Sequence, residues 1–276
     1  MAQSVPGAKR HSIIPAFSER AFIGAADYYA KYRVPYPQDL LDCLLAHCRI
    51  ERPSRLLDLA CGTGQIALPM SRHFTEVWAQ DLEPEMIQIG RRMAKDQGLT
   101  NLIWKRGRAE DLDAPARSFD LITVGSAFHR LHRRKVCNRA KLWLRPDGRL
   151  AVVGSNSVWT GVETWQAVAR DVLEKWKVQD AKEQIRHKTQ ARETFEESLD
   201  QSGFHIIEAR NFATERHWSL SDFIGYCFSL SGLSPIVLGS KAGDFERELR
   251  QKLTAHSPDC DFGENVQFHL LMCRAA

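Results

Sequence analysis

The chain contains 276 residues, of which 43% are hydrophobic and 26% are charged, and its formal net charge is +4. These values are typical of a soluble globular protein that forms one large domain, or a core with a small cap. The charge is modest and no lysine- or arginine-rich tract carries interleaved aromatic residues, so a nucleic-acid partner is not expected. No apolar run approaches the length that spans a bilayer, so no membrane contact is expected either.

The seven cysteines include no C-x-x-C pair, which indicates reduced thiols in a cytoplasmic protein. The N-terminus lacks the apolar core of a signal peptide, which agrees with that localisation. Cys43 and Cys48 are far from other candidate ligands in the sequence, and His, Asp and Glu are not clustered at ligand spacing. We therefore expect no metal site.

The first 50 residues are predicted to form an N-terminal tail followed by helices that act as a lid. Residues 1 to about 20 mix proline, glycine and basic residues without a clear period, which favours a partly ordered tail. Tyr28, Tyr29 and Tyr32 then recur at helical spacing. Residues 38–49 carry leucines in the pattern of a second, amphipathic helix.

A short apolar run that ends in a glycine-rich turn begins the next part of the chain, where residues 55–64 have the sequence RLLDLACGTG. The leucines predict a buried parallel strand, and the residues after the turn predict a helix. The glycines allow the backbone to approach a ligand closely. A strand, a glycine turn and a helix in this order are typical of a nucleotide-binding α/β unit, whose ligand lies at the carboxyl end of the strand.

Two classes of ligand fit this turn. Residues 62–67 match the dinucleotide pattern G-x-G-x-x-G/A, and Asp81 follows about 20 residues later, where a ribose-binding acid belongs. This match leaves a nicotinamide-dependent oxidoreductase open as an alternative. Asp58, however, ends the strand with a carboxylate, which would repel a pyrophosphate and attract the ammonium and sulfonium cations of S-adenosylmethionine.

Residues 58–64, DLACGTG, resemble motif I of the class I S-adenosylmethionine-dependent methyltransferases. Later motifs agree in their order, and the similarity is strongest to the small-molecule branch that includes the trans-aconitate and ubiquinone/menaquinone methyltransferases. The resemblance implies S-adenosylmethionine as the cofactor and S-adenosylhomocysteine as its product. It also implies that the cofactor is contacted by the motif I residues Asp58, Ala60, Gly62, Thr63 and Gly64.

Residues 29–37, YAKYRVPYP, are similar to the Y-x-x-x-R-P-x-Y-P segment that precedes motif I in this branch. There the segment covers the cofactor, with its tyrosine and arginine near the methionine end. The match makes Tyr29 and Arg33 candidate cofactor-binding residues, and Arg33 could pair with the cofactor carboxylate. Packing of the aromatic residues on the core is the alternative.

The second strand is predicted at residues 77–81 and ends at Asp81, whose two carboxylate oxygens could accept both ribose hydroxyls. Asp81 could also cap the helix that Pro84 opens. Leu82 and Met86 would then line one face of the adenine.

The third strand is predicted at residues 102–108, and the sequence around its end, GRAEDL, resembles the G-x-A-E-x-L motif of the family. By this match Ala109 and Glu110 are expected to contact the adenine and its amino group. Arg108 departs from related sequences, which often carry an acid at this position.

The fourth strand and its carboxyl end are predicted at residues 118–129, where Ser126 would lie beside the sulfonium. His129 matches the histidine of the A-[FL]-H-W segment of this branch, although Arg130 replaces the tryptophan. We predict that His129 is the catalytic base for a hydroxyl acceptor, with structural placement of the acceptor loop as the alternative. Residues 130–135 form a dense basic cluster, interpreted as a solvated helix start. Because cations are disfavoured at a helix N-terminus, an anionic acceptor or partner is a second interpretation.

The remaining elements complete the predicted fold class, an α/β, Rossmann-like sheet of seven strands with the last strand antiparallel and helices on both faces. The predicted division is residues 1–50 for tail and lid helices, 51–154 for the cofactor-binding core, 155–200 for a helical cap inserted after strand five, and 201–276 for the rest of the sheet with inserted helices. Strand six is predicted at residues 204–212 and the last strand at 266–273.

The function implied is transfer of a methyl group from S-adenosylmethionine to an oxygen or nitrogen of a small molecule, such as a metabolite or natural product. The alternatives are an NAD(P)-dependent oxidoreductase and a non-catalytic protein that binds S-adenosylmethionine. A monomer or homodimer without a nucleic-acid or membrane partner is expected.

Overall fold

The computed structural model describes residues 21–48, 53–178 and 193–276, so the predicted N-terminal tail lies outside the described residues. Seven strands form one sheet. In chain order they are β1 (Arg55–Leu59), β2 (Glu76–Asp81), β3 (Leu102–Arg106), β4 (Phe119–Gly125), β5 (Leu144–Ser155), β6 (Phe204–Trp218) and β7 (Phe262–Ala275).

Helices precede, connect and follow these strands. In the described residues the α-helices are α1 (Ala26–Tyr32), α2 (Gln38–Ala46), α3 (Ala67–Met70), α4 (Pro84–Asp96), α5 (Arg133–Trp143), α6 (Thr164–Trp176), α7 (Phe195–Gln201), α8 (Leu220–Phe228), α9 (Pro235–Leu238) and α10 (Ala242–His256). None of the described helices is both long and apolar enough to cross a membrane.

The strand order in the sheet is β3-β2-β1-β4-β5-β7-β6. β1 pairs in parallel with β2 and β4, and β7 runs antiparallel between β5 and β6. The seven-stranded sheet with its antiparallel last strand is therefore confirmed. The strand order reverses between β1 and β4, which places a crevice at their carboxyl ends, the usual ligand position in sheets of this type.

Helices cover both faces of the sheet, which explains why its central strands are apolar on both sides. Leu56 and Leu57 in β1 are fully buried and belong to different clusters. Leu56 packs with side chains of α2 and α3, whereas Leu57 packs with side chains of α5. Asp58 is the one charged residue of β1 inside this apolar layer.

The last two strands are longer than the sequence predicts. β6 continues to Trp218, where it pairs with Phe262 at the start of β7. The sequence did not predict this extension, because β6 is the edge strand and is largely exposed, so its sequence lacks the continuous apolar run of a buried strand. Trp218 and Phe262 are fully buried where β6 ends and β7 begins, in the apolar cluster that also contains side chains of α6 and α8.

The region predicted as a cap is divided differently in the structure. α6 packs against α10 and shares one apolar cluster with α8, so helices from three separate chain segments form the layer above the sheet edge. α7 instead packs on α5 and β6, and its Leu199 is buried in the cluster below the sheet. The boundary near residue 200 is thus not a boundary between cap and core; residues 179–192 lie outside the described residues.

α1, which the sequence predicts to be part of a lid, contacts both α4 and α8. Its contact with α8 is close at one point, because a Cβ added to Gly225 would lie 2.3 Å from the ring of Tyr32. Glycine at this position lets the two helices approach, and this approach places the end of α1 above the crevice between β1 and β4.

Candidate functional site

The carboxyl ends of β1, β2 and β4 surround a cavity with about 720 Å³ of space, here called the first cavity. Its wall is formed by Phe22, Tyr29, Ala60, Gly62, Gln80, Asp81, Leu82, Glu83, Met86, Arg108, Ala109, Glu110, Gly125, Ser126, Ala127, Arg130 and Leu131. Most of the residues that the sequence predicted as cofactor-binding are on this wall.

The turn after β1 lines the cavity with two residues in the left-handed backbone conformation. Ala60 has a φ of 51° and Gly62 a φ of 57°. A Cβ added to Gly62 would lie 3.3 Å from the ring of Tyr29 in the lid, so both backbone conformation and close contact require glycine. Thr63 and Gly64 are buried behind this turn and do not line the first cavity.

Asp81 connects the turn after β1 to the turn after β2. One carboxylate oxygen accepts a hydrogen bond from the Gly62 N–H at 2.7 Å, and the other accepts one from the Glu83 N–H at 2.8 Å. Burial raises the pKa of this carboxyl, while the backbone donors act in the opposite direction. Each oxygen keeps a further lone pair, so Asp81 can still accept hydrogen bonds from a ligand in the cavity.

Asp58 has a different position from the one its sequence context suggested. Its carboxylate is buried, accepts hydrogen bonds from the Thr123 hydroxyl at 2.7 Å and the Ala67 N–H at 3.1 Å, and is not on the cavity wall. Burial raises its pKa to about 7, although both hydrogen bonds lower it. The structure thus gives Asp58 the role of joining β1, β4 and α3 beneath the turn, and direct contact with the cofactor stays a prediction.

The end of the first cavity near β3 combines apolar and charged side chains. Leu82, Met86 and Ala109 lie on its wall, as predicted for the adenine position. Glu110 is also there, but its Oε1 accepts the His132 N–H at 2.8 Å and its Oε2 lies 3.6 Å from Nε of Arg108. Because Oε1 keeps a second lone pair, the predicted contact with the adenine amino group stays open to test.

A second cavity adjoins the first, with about 490 Å³ of space, and the two share Tyr29 and Ser126. Arg33 lies on its wall, where the guanidinium is 4.7 Å from the ring centre of Tyr29 and Nη2 donates to the Ser229 carbonyl at 3.0 Å. Its buried Nε makes no hydrogen bond within the described residues. This free donor is compatible with the predicted pairing between Arg33 and a ligand carboxylate.

His129 is not on the wall of either cavity, which differs from its predicted position beside the cofactor. It lies in a short 3₁₀-helix, Phe128–Arg130, that follows β4. Residues three apart share one side of such a helix, and the structure brings Ala127 and Arg130 to the first cavity instead. A base position for His129 therefore has no support from the geometry.

The residues that sequence reasoning missed include Gln80 and Glu83. Gln80 accepts the Ala60 N–H at 3.1 Å through Oε1 and donates through Nε2 to the Gly107 carbonyl, so it links the ends of β1 and β3. Glu83 is buried with a pKa raised to about 7 by burial and by Asp81, and its Oε1 makes no hydrogen bond within the described residues. Gln80 directly precedes Asp81, and Glu83 follows it by two residues. This closeness to the predicted ribose-binding residue was the sequence signal that could have identified them.

The basic cluster at residues 130–135 is largely used inside the protein. Arg133 is buried, stacks on Phe195 at 4.7 Å and donates to the Glu193 carbonyl at 2.8 Å, which attaches α7 to α5. Lys135 pairs with Asp111 at 2.7 Å. These contacts favour the structural interpretation of the cluster over binding of an anionic partner.

One group of side chains has the composition of a metal site. Cys43 and His47 of α2 lie near Glu208 of β6, with their ligand atoms within 4.8 Å of one another. The sequence could not show this, because Glu208 is 165 residues from Cys43. His47 already pairs with Glu208 at 2.5 Å, and Arg210 lies 3.9 Å from the same carboxylate, so ion pairs account for the group. All seven cysteines are free thiols.

Comparison with known proteins agrees with this geometry. Residues 56–148, which contain β1 to β4 and the first-cavity turns that follow them, match the family model described as "Methyltransferase domain". The seven-stranded sheet also matches solved structures in its architecture. Residues 56–148 are thus similar to a methyltransferase domain, and this match supports a class I S-adenosylmethionine-dependent methyltransferase.

Curated relatives are similar over the same part. The uncharacterized methyltransferase YcgJ of Bacillus subtilis is 35% identical over 109 residues, which are 39% of this chain and 42% of the relative. The ubiquinone/menaquinone biosynthesis C-methyltransferase UbiE of Zymomonas mobilis is 32% identical over 108 residues, 38% of this chain and 45% of the relative. The chain thus spans less than half the length of these relatives.

Solved structures match over nearly the whole chain, but at low identity. The Bacillus YcgJ structure has a TM-score of 0.52 and 18% identity, and the match covers 86% of this chain and 98% of that one. The cyclase SpnF has a TM-score of 0.52 and 17% identity, with 88% and 83% covered. At this identity the likeness shows the fold alone, and the fold hosts more than one reaction.

Proposed function

We propose that the protein transfers a methyl group from S-adenosylmethionine to an oxygen or nitrogen of a small molecule. The observation that carries the proposal is the first cavity. There the glycine turn of the methyltransferase segment and Asp81 meet at the carboxyl ends of β1 and β2.

The residues present fit the cofactor. Asp81 and Glu83 supply carboxylate oxygens at the expected ribose position, and Oε1 of Glu83 is buried without a protein donor. Leu82 and Met86 supply an apolar surface for the adenine. Arg33 has a buried Nε available at the other end, where the cofactor carboxylate would lie.

When bound, S-adenosylmethionine supplies an electrophilic methyl group next to a leaving group that departs neutral. The protein is then needed chiefly to align the acceptor, a contribution that positioning alone can make large. Tyr29 and Ser126 lie where the two cavities meet and would hold the acceptor's reacting atom. Tyr36 donates to Ser126 at 3.2 Å, which fixes the serine at this junction.

The second cavity supports a small acceptor that carries hydrogen-bonding groups. Its wall includes Ser155, Asn156 and Ser157 beside aromatic side chains, a mixture that suits a polar metabolite or natural product. This polar wall is the reason for proposing oxygen or nitrogen as the methylated atom. Carbon methylation is the second candidate, because the similar UbiE relatives are named C-methyltransferases.

Isothermal titration calorimetry would test the cofactor directly. We expect S-adenosylhomocysteine and S-adenosylmethionine to bind with one site per chain, and NAD not to bind, because the acidic residues Asp81 and Glu83 in the cavity would repel its pyrophosphate. Binding of NAD without S-adenosylhomocysteine would identify an oxidoreductase instead. Binding of S-adenosylmethionine without turnover on any acceptor would favour the non-catalytic alternative.

His129→Ala tests the predicted base. A general base contributes roughly 10²–10⁴-fold to turnover, but His129 is off both cavity walls, so we expect less than about tenfold loss in turnover and unchanged affinity for S-adenosylhomocysteine. Release of S-adenosylhomocysteine with an acceptor found by screening measures the turnover. A loss of about 100-fold at unchanged cofactor affinity would restore the base assignment.

The proposal extends to a monomer or homodimer in the cytoplasm that acts on a small molecule. Light scattering of the purified protein measures the oligomeric state, and a mass above that of two chains would contradict this part.

A further inference from the structure

The second cavity has charged groups of opposite sign on its wall. Arg33 is its only arginine or lysine and Glu264 its only carboxylate among the described residues. The carboxylate of the proposed cofactor would pair with Arg33 and neutralise its charge. Glu264 could bind a cation of the methyl acceptor or the ammonium group of the cofactor, and a variant of Glu264 separates the two by its effect on the affinity for S-adenosylhomocysteine.

Glu264 is held rigidly by two buried side chains. One carboxylate oxygen accepts the Trp218 indole N–H at 2.6 Å and the other accepts the Gln166 amide at 2.6 Å. Gln166 is fixed in turn, because its own Oε1 accepts the Glu163 N–H at the start of α6. The carboxylate is therefore preorganised by β6 and the cap helix before any ligand arrives.

Both donors are neutral, and no described Lys, Arg or His forms a salt bridge with Glu264. Burial raises the pKa of this carboxyl, whereas the hydrogen bond from Trp218 and the charge of Arg216, its cross-strand neighbour, lower it. Arg216 forms no salt bridge with Glu264 and offsets only part of the cost of burying the carboxylate, and a cationic ligand in direct contact would offset more.

We propose that Glu264 binds an ammonium group of the methyl acceptor, at the end remote from the atom that is methylated. This inference rests on the proposed function, because it takes the junction with the first cavity as the point of methyl transfer. The acceptor class is then a small amine that also carries a hydroxyl or second nitrogen as the nucleophile.

The position of Glu264 along β7 supports a remote contact. Phe268 pairs with Ser155 and stacks on Tyr36 near the junction, whereas Glu264 is four residues earlier on the same face of the strand. At roughly 3.3 Å per residue the two backbone positions are about 13 Å apart. An acceptor that reaches both ends must therefore be elongated.

The wall between the two ends also suits a cationic nitrogen. Tyr226 lies on the same cavity wall as Arg33 and Glu264, and both charges act on its hydroxyl. The Arg33 guanidinium lies 5.3 Å from the centre of the Tyr226 ring, so a second cation can approach this ring only when the cofactor carboxylate neutralises Arg33. We therefore expect the amine to bind after the cofactor.

The experiment uses the full chain saturated with S-adenosylhomocysteine. The probes are phenols that carry a primary amine on spacers of increasing length, starting with tyramine, each paired with its N-acetyl derivative. Calorimetry is expected to show at least one amine that binds about tenfold or more tightly than its uncharged N-acetyl partner. Glu264→Gln is expected to remove that tenfold preference and to leave the affinity for S-adenosylhomocysteine within about twofold.

Glu215→Gln is the matched control, because it makes the same charge change at an exposed position on the neighbouring strand, and it should keep the preference. Glu264→Asp separates charge from hydrogen-bond geometry, since it keeps the carboxylate, and it should retain part of the preference. Equal binding of amines and N-acetyl partners, no amine binding at all, or an unchanged preference in Glu264→Gln would overturn the inference while leaving the methyltransferase proposal intact. Failure of the wild-type protein to bind S-adenosylhomocysteine would overturn both.

Discussion

Replacing Asp81 with alanine is expected to weaken the binding of S-adenosylhomocysteine by about 100-fold or more. The carboxylate accepts the backbone N–H groups of Gly62 and Glu83, so it holds the turns after β1 and β2 in place. It also lies on the cavity wall, where its remaining lone pairs would accept the ribose hydroxyls. Hydrogen bonds to a charged group contribute about 1.5–3 kcal/mol each, and about 2.8 kcal/mol corresponds to 100-fold in affinity.

Calorimetry with S-adenosylhomocysteine measures this effect, and two further variants show where it originates. Asp171→Ala makes the same charge change on the exposed face of α6 and should leave the affinity unchanged. Asp81→Asn keeps the size but can accept only one of the two backbone hydrogen bonds, so its loss should be intermediate. If Asp81→Ala bound the ligand as tightly as the wild type while remaining folded, the first cavity would not be the cofactor site.

The sequence predicted the sheet well because the central strands depend on local signals. Leu56, Leu57 and Leu59 form a short apolar run, interrupted only by Asp58, that is typical of a strand covered on both faces, and the glycine turn marks where it ends. Asp81 was likewise found from its position at the end of an apolar strand, and the structure places it on the cavity wall.

The part of the site that depends on contacts between residues far apart in the sequence could not be predicted. Glu264 lies on β7 and is held at the second cavity by hydrogen bonds from Trp218 and Gln166, and Gln166 is 98 residues away in the chain. His129 was assigned by its place after β4, but the 3₁₀ geometry of that turn presents its neighbours to the cavity. The spacing of a motif indicates which strand a residue follows. The direction of its side chain depends on the conformation of the turn in which it lies.

Asp58 shows the same limit more clearly, because its charge led to the correct family while its carboxylate lies beneath the site. Asp58→Asn is expected to make the protein more stable than the wild type at pH 8, by up to about 4 kcal/mol. An asparagine can donate to the Thr123 hydroxyl and accept the Ala67 N–H, so both present contacts keep a partner. It also removes the ionisation that burial opposes.

The pH dependence gives the sign of this effect. The pKa of Asp58 rises from an ordinary 3.8 to about 7 in the folded protein, so the native state holds its proton more tightly than the unfolded chain. The resulting stabilisation is fully present below about pH 4 and is lost as the pH rises towards 7. About three pH units at about 1.4 kcal/mol each give the limit of 4 kcal/mol.

Denaturant unfolding at pH 4.5 and pH 8 measures the difference. Asp58→Asn should exceed the wild type by about 1 kcal/mol at the lower pH, and the difference should grow towards about 4 kcal/mol at the higher one. Asp58→Ala, which leaves the Thr123 hydroxyl and the Ala67 N–H without partners, should be destabilised at both by about 2–4 kcal/mol. A less stable Asp58→Asn at pH 8 would mean that the ionised carboxylate itself holds β1, β4 and α3 together. A large loss of cofactor affinity in a stable Asp58→Asn would mean that its charge acts on the ligand through the turn, as the sequence first suggested.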